Sequence, residues 1–390
     1  MRQLLADKVS GNLLGLWLLV PEHLRLGTWD LLCGWSGHGG DQVQPRLALQ
    51  LVHEAALCST GVRERRALAH RGLELANGMP FLAGDMAIHH LLAARTVAQS
   101  QRLQVALGRI RRASGDFQGT LLAIDPHRVR SYSKREMRRY RDDPRSRSFK
   151  TAQTFFALDA DTHQPLCFTT ATAARTATTA AIELLSLSAQ ILSPKPGQTL
   201  VVADLEHETA ELLNHVRLHT PFDLLAPMKN VQSLQKQLRA IPAEQFTHRW
   251  AGYATLKRPY GMSKGQADHL IQFVHRSGDR PDDYRLGAFL STADRDEVDP
   301  LTREYPKRWH VEEFFNAHQA LGWNRAGTMN LNIRYGQMTM ALLAQAALHR
   351  LRLRLGEPYC TWDARHMARS LLSGLEGDAR VVCASWTTRS

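Results

Sequence analysis

The chain lacks an apolar run long enough to cross a bilayer. Its longest candidate, Asn12–Val20, falls well short of the roughly 20 residues that a spanning helix needs. No basic lead-in with a cleavage site goes with it, so it is expected to be a core helix segment, with no membrane as partner. Cysteine is sparse as well: Cys33, Cys58, Cys167, Cys360 and Cys383 are odd in number and far apart. None forms a CxxC pair, which excludes a disulfide framework and a zinc ribbon, and a reducing, intracellular setting is the expectation. The 18 histidines are scattered, and neither His207 nor His310 sits at zinc-ligand spacing. There is no glycine-rich phosphate loop, so nothing points to ATP. Repeats and low-complexity tracts are missing too. What remains is a globular chain of 390 residues, enough for two or three structural units.

What the chain has in excess is positive charge. The formal net charge is +12 and the pI about 9.8, a balance that favours a polyanionic partner. The charge is concentrated. Residues 128–150 hold ten Lys or Arg (Arg128, Arg130, Lys134, Arg135, Arg138, Arg139, Arg141, Arg145, Arg147 and Lys150) against Glu136, Asp142 and Asp143. A solvated loop could carry such a run, but its expected use is to track a phosphate backbone.

Residues 1–115 read as helical. Apolar positions recur at three and four in 55–75 and 87–110, with Gly and Pro breaks between. Asp85 can cap one helix, and a second begins near Thr96 and ends in Arg109, Arg111 and Arg112. A helix-turn-helix reader of the major groove would look like this, and so would any small helical bundle. The pattern then changes to an apolar strand over 119–125 ending in Asp125, and a hairpin (151–158 and 166–171) about the turn 159–165. A helix over 178–192 and a buried strand over 199–204 ending in Asp204 follow, then a helix over 209–218 and a strand over 223–227. This order predicts a mixed α/β layer. Residues 240–300 read as strands at 246–256, 268–274 and 284–291, an inserted β-rich unit, and the chain is helical again after 305. Asp159 and Asp161 are expected to serve the hairpin turn. Glu206 and Glu208 fall at a helix start, where acids favour the dipole, and Glu206 is the better placed to help Asp204.

One further stretch bears on chemistry: Tyr305, Arg308 and Glu312, at i, i+3 and i+7, share a face if the segment is one helix. Pro306 suits the first turn, and Val311, Phe314 and Phe315 supply an apolar face to dock it. An ordinary amphipathic helix with one ion pair would show the same spacing. The two upstream acids alter the reading. If the strands ending in Asp125 and Asp204 lie side by side, their carboxylates meet, and Glu312 arrives from a helix packed on the sheet. Such a cluster repels itself unless cations neutralise it, and an all-oxygen donor set favours Mg²⁺ or Mn²⁺. Two such ions, roughly 3.5–4 Å apart, suit an in-line phosphoryl displacement. Glu313 points away from Glu312 and is expected to be solvated.

These acids, in this order, resemble those of the DDE transposases of the bacterial insertion-sequence type, whose ribonuclease-H-like core carries an inserted β domain. That family has the pattern Tyr-x2-Arg-x3-Glu-x6-Lys about its third acid. Tyr305, Arg308 and Glu312 match it, while Ile124-Asp125 and Val202-Ala203-Asp204 resemble its first and second motifs. The resemblance spans roughly residues 115–350. It implies a helical N-terminal domain over 1–115 that could bind DNA, and a catalytic core over 116–239 and 301–350. The β-rich insertion would occupy 240–300 and a C-terminal region 351–390. It further implies double-stranded DNA as partner, both transposon ends and target, with the protein a dimer on that DNA in a bacterial, nucleoid-associated cytoplasm. Metal-dependent phosphodiester hydrolysis at the ends would precede strand transfer. Asp125, Asp204 and Glu312 would hold two Mg²⁺ or Mn²⁺ ions, and Tyr305 and Arg308 would contact phosphates. Trp250 would stack on an exposed base, Trp309 would serve core packing, and Arg128, Arg130, Lys134, Arg135, Arg138 and Arg139 would bind backbone. The chain departs from the pattern at Gln319, which stands where the family has Lys. Gln can hydrogen-bond DNA but brings no charge; Lys307, Arg325 and Arg334 are open as substitutes. A nuclease without strand transfer, or a non-catalytic DNA-binding derivative, are the alternatives.

Overall fold

The computed structural model describes residues 9–10, 13–37, 43–59, 71–79, 81–132, 134, 136–137, 139–141, 145–171, 175–262, 267–324, 328, 330–373 and 378–379. Arg135, Arg138 and Arg325 therefore lie outside the described residues. The chain divides into two compact units, one made of Met1–Ile110 and Asn316–Ser390, the other of Arg111–Phe315.

The first unit joins the N-terminal helices to the C-terminal ones. Among its described residues it is helical apart from the two-residue strands Val9–Ser10 and Asp378–Ala379, which pair with each other. Its spine is the helix Leu331–Leu355, whose Asn330 cap accepts from the backbone N–H groups of Asn332 and Ile333. The helix packs against Val43–Ala56, Asp85–Ala94 and Val20–Arg25, and so is apolar on most sides. Gly336 allows a close crossing, because a Cβ there would lie 2.6 Å from Leu92 Cδ2 and displace that side chain. The helix Val97–Ala113 opens on a reciprocal cap: Gln99 N–H donates to Thr96 Oγ1, and Thr96 N–H donates to Gln99 Oε1. Along it Ser100 and Gln104 are buried, and Trp35 Nε1 donates to Ser100 Oγ.

Among its described residues the second unit has ten strands: β1 Leu121–Arg130, β2 Arg139–Tyr140, β3 Phe149–Asp159, β4 Gln164–Ala171, β5 Thr199–Ala203, β6 Phe222–Pro227, β7 Thr247–Trp250, β8 Tyr253–Tyr260, β9 Leu270–Ser277 and β10 Arg285–Ser291. They form one sheet in the order β2-β3-β1-β5-β6-β10-β9-β8-β7, with β4 also paired to β3. β1, β5 and β6 are mutually parallel; β3 runs antiparallel to β1, and β4 antiparallel to β3. This is the ribonuclease-H-like mixed α/β layer. The parallel strands are buried where they adjoin: all five residues of β5 and the first four of β1. The helix Ala177–Leu192 begins at Thr176, whose side chain accepts from Thr179 N–H, and buries Leu184, Leu185, Leu187 and Ile191.

The β-rich insertion continues this sheet, since β10 pairs antiparallel with β6 through Phe289–Ser291. It has a small core of its own: Leu234 and Leu238 of the helix Gln232–Arg239 pack with Phe246, Ala254, Val274 and Ala288.

β1 differs from its expectation in length. The apolar pattern stops at Asp125, but the strand runs five residues further because β3 pairs with it as far as Arg130 opposite Thr151. Arg128 and Arg130 thus lie on a strand and not in a loop.

Candidate active site

β1 and β5 lie side by side in parallel, with Ile124 opposite Ala203. The next residue on each is an acid, so Asp125 and Asp204 follow adjacent registered positions. Asp204 leaves the sheet and caps the turn Leu205–His207. Its Oδ1 accepts from Glu206 N–H at 3.0 Å and from His207 Nδ1 at 2.6 Å.

The third acid arrives on a segment whose winding changes along its length. Pro300–Glu304 is a π-turn, Tyr305–Trp309 is 3-10 and His310–His318 is α-helical. The expected single α-helix through Tyr305, Arg308 and Glu312 is therefore replaced by a tighter turn entering a short helix. Pro306, which cannot donate a backbone hydrogen bond, sits in the first positions of the 3-10 stretch. The three residues still come together. Arg308 Nη1 donates to Asp125 Oδ1 and its Nη2 to Glu312 Oε1, each at 3.3 Å. Tyr305 is hydrogen-bonded to Arg308 and packs edge-on against Phe289, 4.7 Å between centroids.

Two further sets of contacts hold this segment to the sheet. Phe314 and Phe315 meet Phe156 of β3 at 6.1 and 5.2 Å between centroids, and Phe156 is fully buried; removing such a ring costs about 3–5 kcal/mol. The β3–β4 turn grips the other side. Lys307 Nζ donates to Asp161 Oδ1, His310 Nδ1 donates to the Ala160 carbonyl at 2.7 Å, and the tilted rings of His163 and His310 meet at 3.8 Å between centroids. Asp159, buried, serves the turn: it accepts from the N–H groups of Gly119, Asp161 and Thr162.

The electrostatics follow from this packing. Burial and the neighbouring Asp204 push the Asp125 carboxyl up to about 7, with Glu312 adding to the rise against the opposing pull of Arg308 and His207. Asp204 is buried too, yet its pKa is lowered. Desolvation is outweighed there by the hydrogen bond and charge of His207, the Glu206 N–H and Arg128. Among the described residues no three His, Cys, Asp or Glu side chains are arranged to hold a metal ion; the Arg308 guanidinium lies between Asp125 and Glu312.

The other predicted positions are dispersed. Arg128 is ion-paired with Glu206 and lies over the Tyr140 ring. Arg130 lies over Phe149, 4.2 Å from its centroid. Lys134 is exposed, and Arg139, also exposed, donates to Ser148. Trp250 is 47% exposed and stacks flat on Tyr253 at 4.5 Å. Trp309, expected in the core, is 56% exposed; the 3-10 winding turns it outward beside the inward-facing Arg308. Gln319 opens the 3-10 turn Gln319–Leu321 after the helix has ended at His318. The seven-residue spacing from Glu312 assumed a continuous helix, and so does not carry to it. It belongs to the first unit, as does Arg334, which is buried. Lys307 lies on the site's own segment, where it pairs with Asp161. His207, fully buried on Asp204, was missed by sequence reasoning. A search for zinc spacing passes over it, and only its place three residues after Asp204 hinted at the contact.

The mixed sheet thus carries acids after adjacent parallel strands, and a third acid on a helix docked to it. The family described as "Transposase DDE domain" matches residues 116–346, more than half of the chain, and the chain belongs to that family. Among solved structures, the fold is similar to a piggyBac transposase synaptic complex with hairpin DNA, determined by cryo-EM. The TM-score is 0.48 at 12% identity, over 90% of this chain and 79% of that one. No curated protein matches it.

Proposed function

We propose that this chain is a DNA transposase that hydrolyses a phosphodiester bond at the transposon end and joins the freed 3′-hydroxyl to target DNA. One observation carries the reading. Asp125 and Asp204 follow paired positions on parallel strands, and Arg308 ties Asp125 to Glu312. The donor type suits a hard divalent cation: Arg308 bridges two carboxylates with a third nearby, all donor atoms are oxygens, and burial together with repulsion from Asp204 and Glu312 lifts Asp125 to about 7. Asp125, Asp204 and Glu312 are the residues that would hold Mg²⁺ or Mn²⁺. When bound, such ions activate the attacking water or hydroxyl and stabilise the leaving oxygen.

The protein's own groups do the rest. Arg308 donates to Asp125 and Glu312 and Tyr305 is hydrogen-bonded to Arg308; a guanidinium released from two carboxylates is suited to bidentate contact with phosphate. Arg130, Lys134 and Arg139 offer charge for the DNA backbone, and exposed Trp250 offers a flat face for a base. Asp125→Ala should abolish cleavage of an end-sequence duplex while leaving gel-shift affinity unchanged. Equal loss of both, with the fold intact by circular dichroism, would sink the assignment. A precut end with a free 3′-hydroxyl then separates a transposase, which joins it to a target duplex, from a nuclease, which does not.

A further inference from the structure

We propose that His207 is a positioning residue for Asp204: it commits one carboxylate oxygen to the protein and so presents the other to a divalent cation. The proposal rests on the metal-site reading above and deepens it. Both donors to Asp204, the His207 ring and the Glu206 N–H, converge on Oδ1, and no described group donates to Oδ2. A carboxylate used only as a helix cap would need one such donor, and Glu206 N–H already supplies it. The imidazole adds a second, shorter contact that fixes the rotation of the carboxyl group.

The ring's surroundings give it one orientation. His207 is fully buried, its Nδ1 meets Asp204 at 2.6 Å, and its Nε2 has no hydrogen-bond partner among the described residues. An ionised carboxylate only accepts, so Nδ1 must carry the proton. The backbone holds the ring in place on both sides: His207 N–H donates to the Asp204 carbonyl at 3.1 Å, and the His207 carbonyl accepts from Thr209 N–H at 2.8 Å. Groups that orient metal ligands in this way commonly govern affinity without touching the metal.

Asn and Gln separate this role from packing, because the Asn amide nitrogen can stand where Nδ1 is and that of Gln stands nearer to Nε2. Mn²⁺ binding to the full-length protein, followed by electron paramagnetic resonance, should weaken about tenfold or more in His207→Gln. His207→Asn should stay close to the parent. Parental affinity in His207→Gln, or equal loss in both variants, would overturn the proposal. A second test needs no stable variant: in protein labelled with ¹⁵N-histidine, the His207 Nδ1 should carry a proton hydrogen-bonded to Asp204, and an unprotonated Nδ1 would overturn it. Asp204→Ala is the control for the underlying reading. If it binds Mn²⁺ like the parent, the metal site itself is wrong, whatever His207 does.

Discussion

The ends of β1 and β5 treat the same residue type in opposite ways. Asp125 stays within the sheet, flanked by buried strand residues and facing a second carboxylate, and its pKa rises to about 7. Asp204 steps off its strand into a turn, where a backbone N–H and a buried imidazole meet one of its oxygens, and its pKa falls despite burial. Burial alone does not decide the charge of an acid; the number of donors that the local backbone can bring to it does. Of the two acids, one is kept ionised by its donors, while the other has only the charges of Arg308 and His207 to set against its burial.

The largest effect should erase the contrast. Asp125→Asn and Asp204→Asn should each cut end cleavage by about 10³-fold or more, the scale of losing an essential catalytic group. Either variant working within tenfold of the parent would break the pairing of the two acids.

Stability should restore the contrast. For Asp125 the folded state holds its proton more tightly than the unfolded chain, so its ionisation is a cost that grows as pH rises from the usual carboxylate range to about 7. With metal chelated, Asp125→Asn should raise the melting temperature by several degrees at pH 8 and change little at pH 4. Asp204 has the opposite sign: its depressed pKa contributes stability above the usual carboxylate range, lost as pH falls through the folded value. Asp204→Asn should therefore lower the melting temperature at pH 8. Thermal melts that move the same way for both would contradict the assigned surroundings.

The smallest effect concerns Arg128, which pairs with Glu206 and lends its charge to Asp204. Arg128→Ala should cost no more than about 1 kcal/mol in urea unfolding, because the pair is partly exposed, and should narrow the difference between the two acids. A loss of several kcal/mol would mean that Arg128 holds the β1–β5 junction itself.

Much of this was legible in the chain because buried parallel strands are continuous apolar runs. Leu121–Ile124 and Thr199–Ala203 stand out for that reason, and each is followed by its acid. The pairing that extends β1 to Arg130 was not legible, since it is dictated by β3, some 25 residues away, and not by local alternation. Nor was the junction of β6 with β10, which makes the insertion part of the main sheet. Tyr305, Arg308 and Glu312 were found by helical spacing, and they do meet. The winding that brings them together is not the α-helix which that spacing assumes, because Pro306 and the preceding π-turn alter the rise per residue. His207 escaped because its role is a tertiary contact with no motif of its own.

The β3–β4 turn has a practical consequence. A short surface hairpin is where a protein engineer would first try to splice in a tag, since loop tips usually accept foreign sequence. Here Asp161, Ala160 and His163 each hold the segment that carries Arg308 and Glu312. A peptide inserted between Asp161 and His163 would pull on the third carboxylate from outside the molecule.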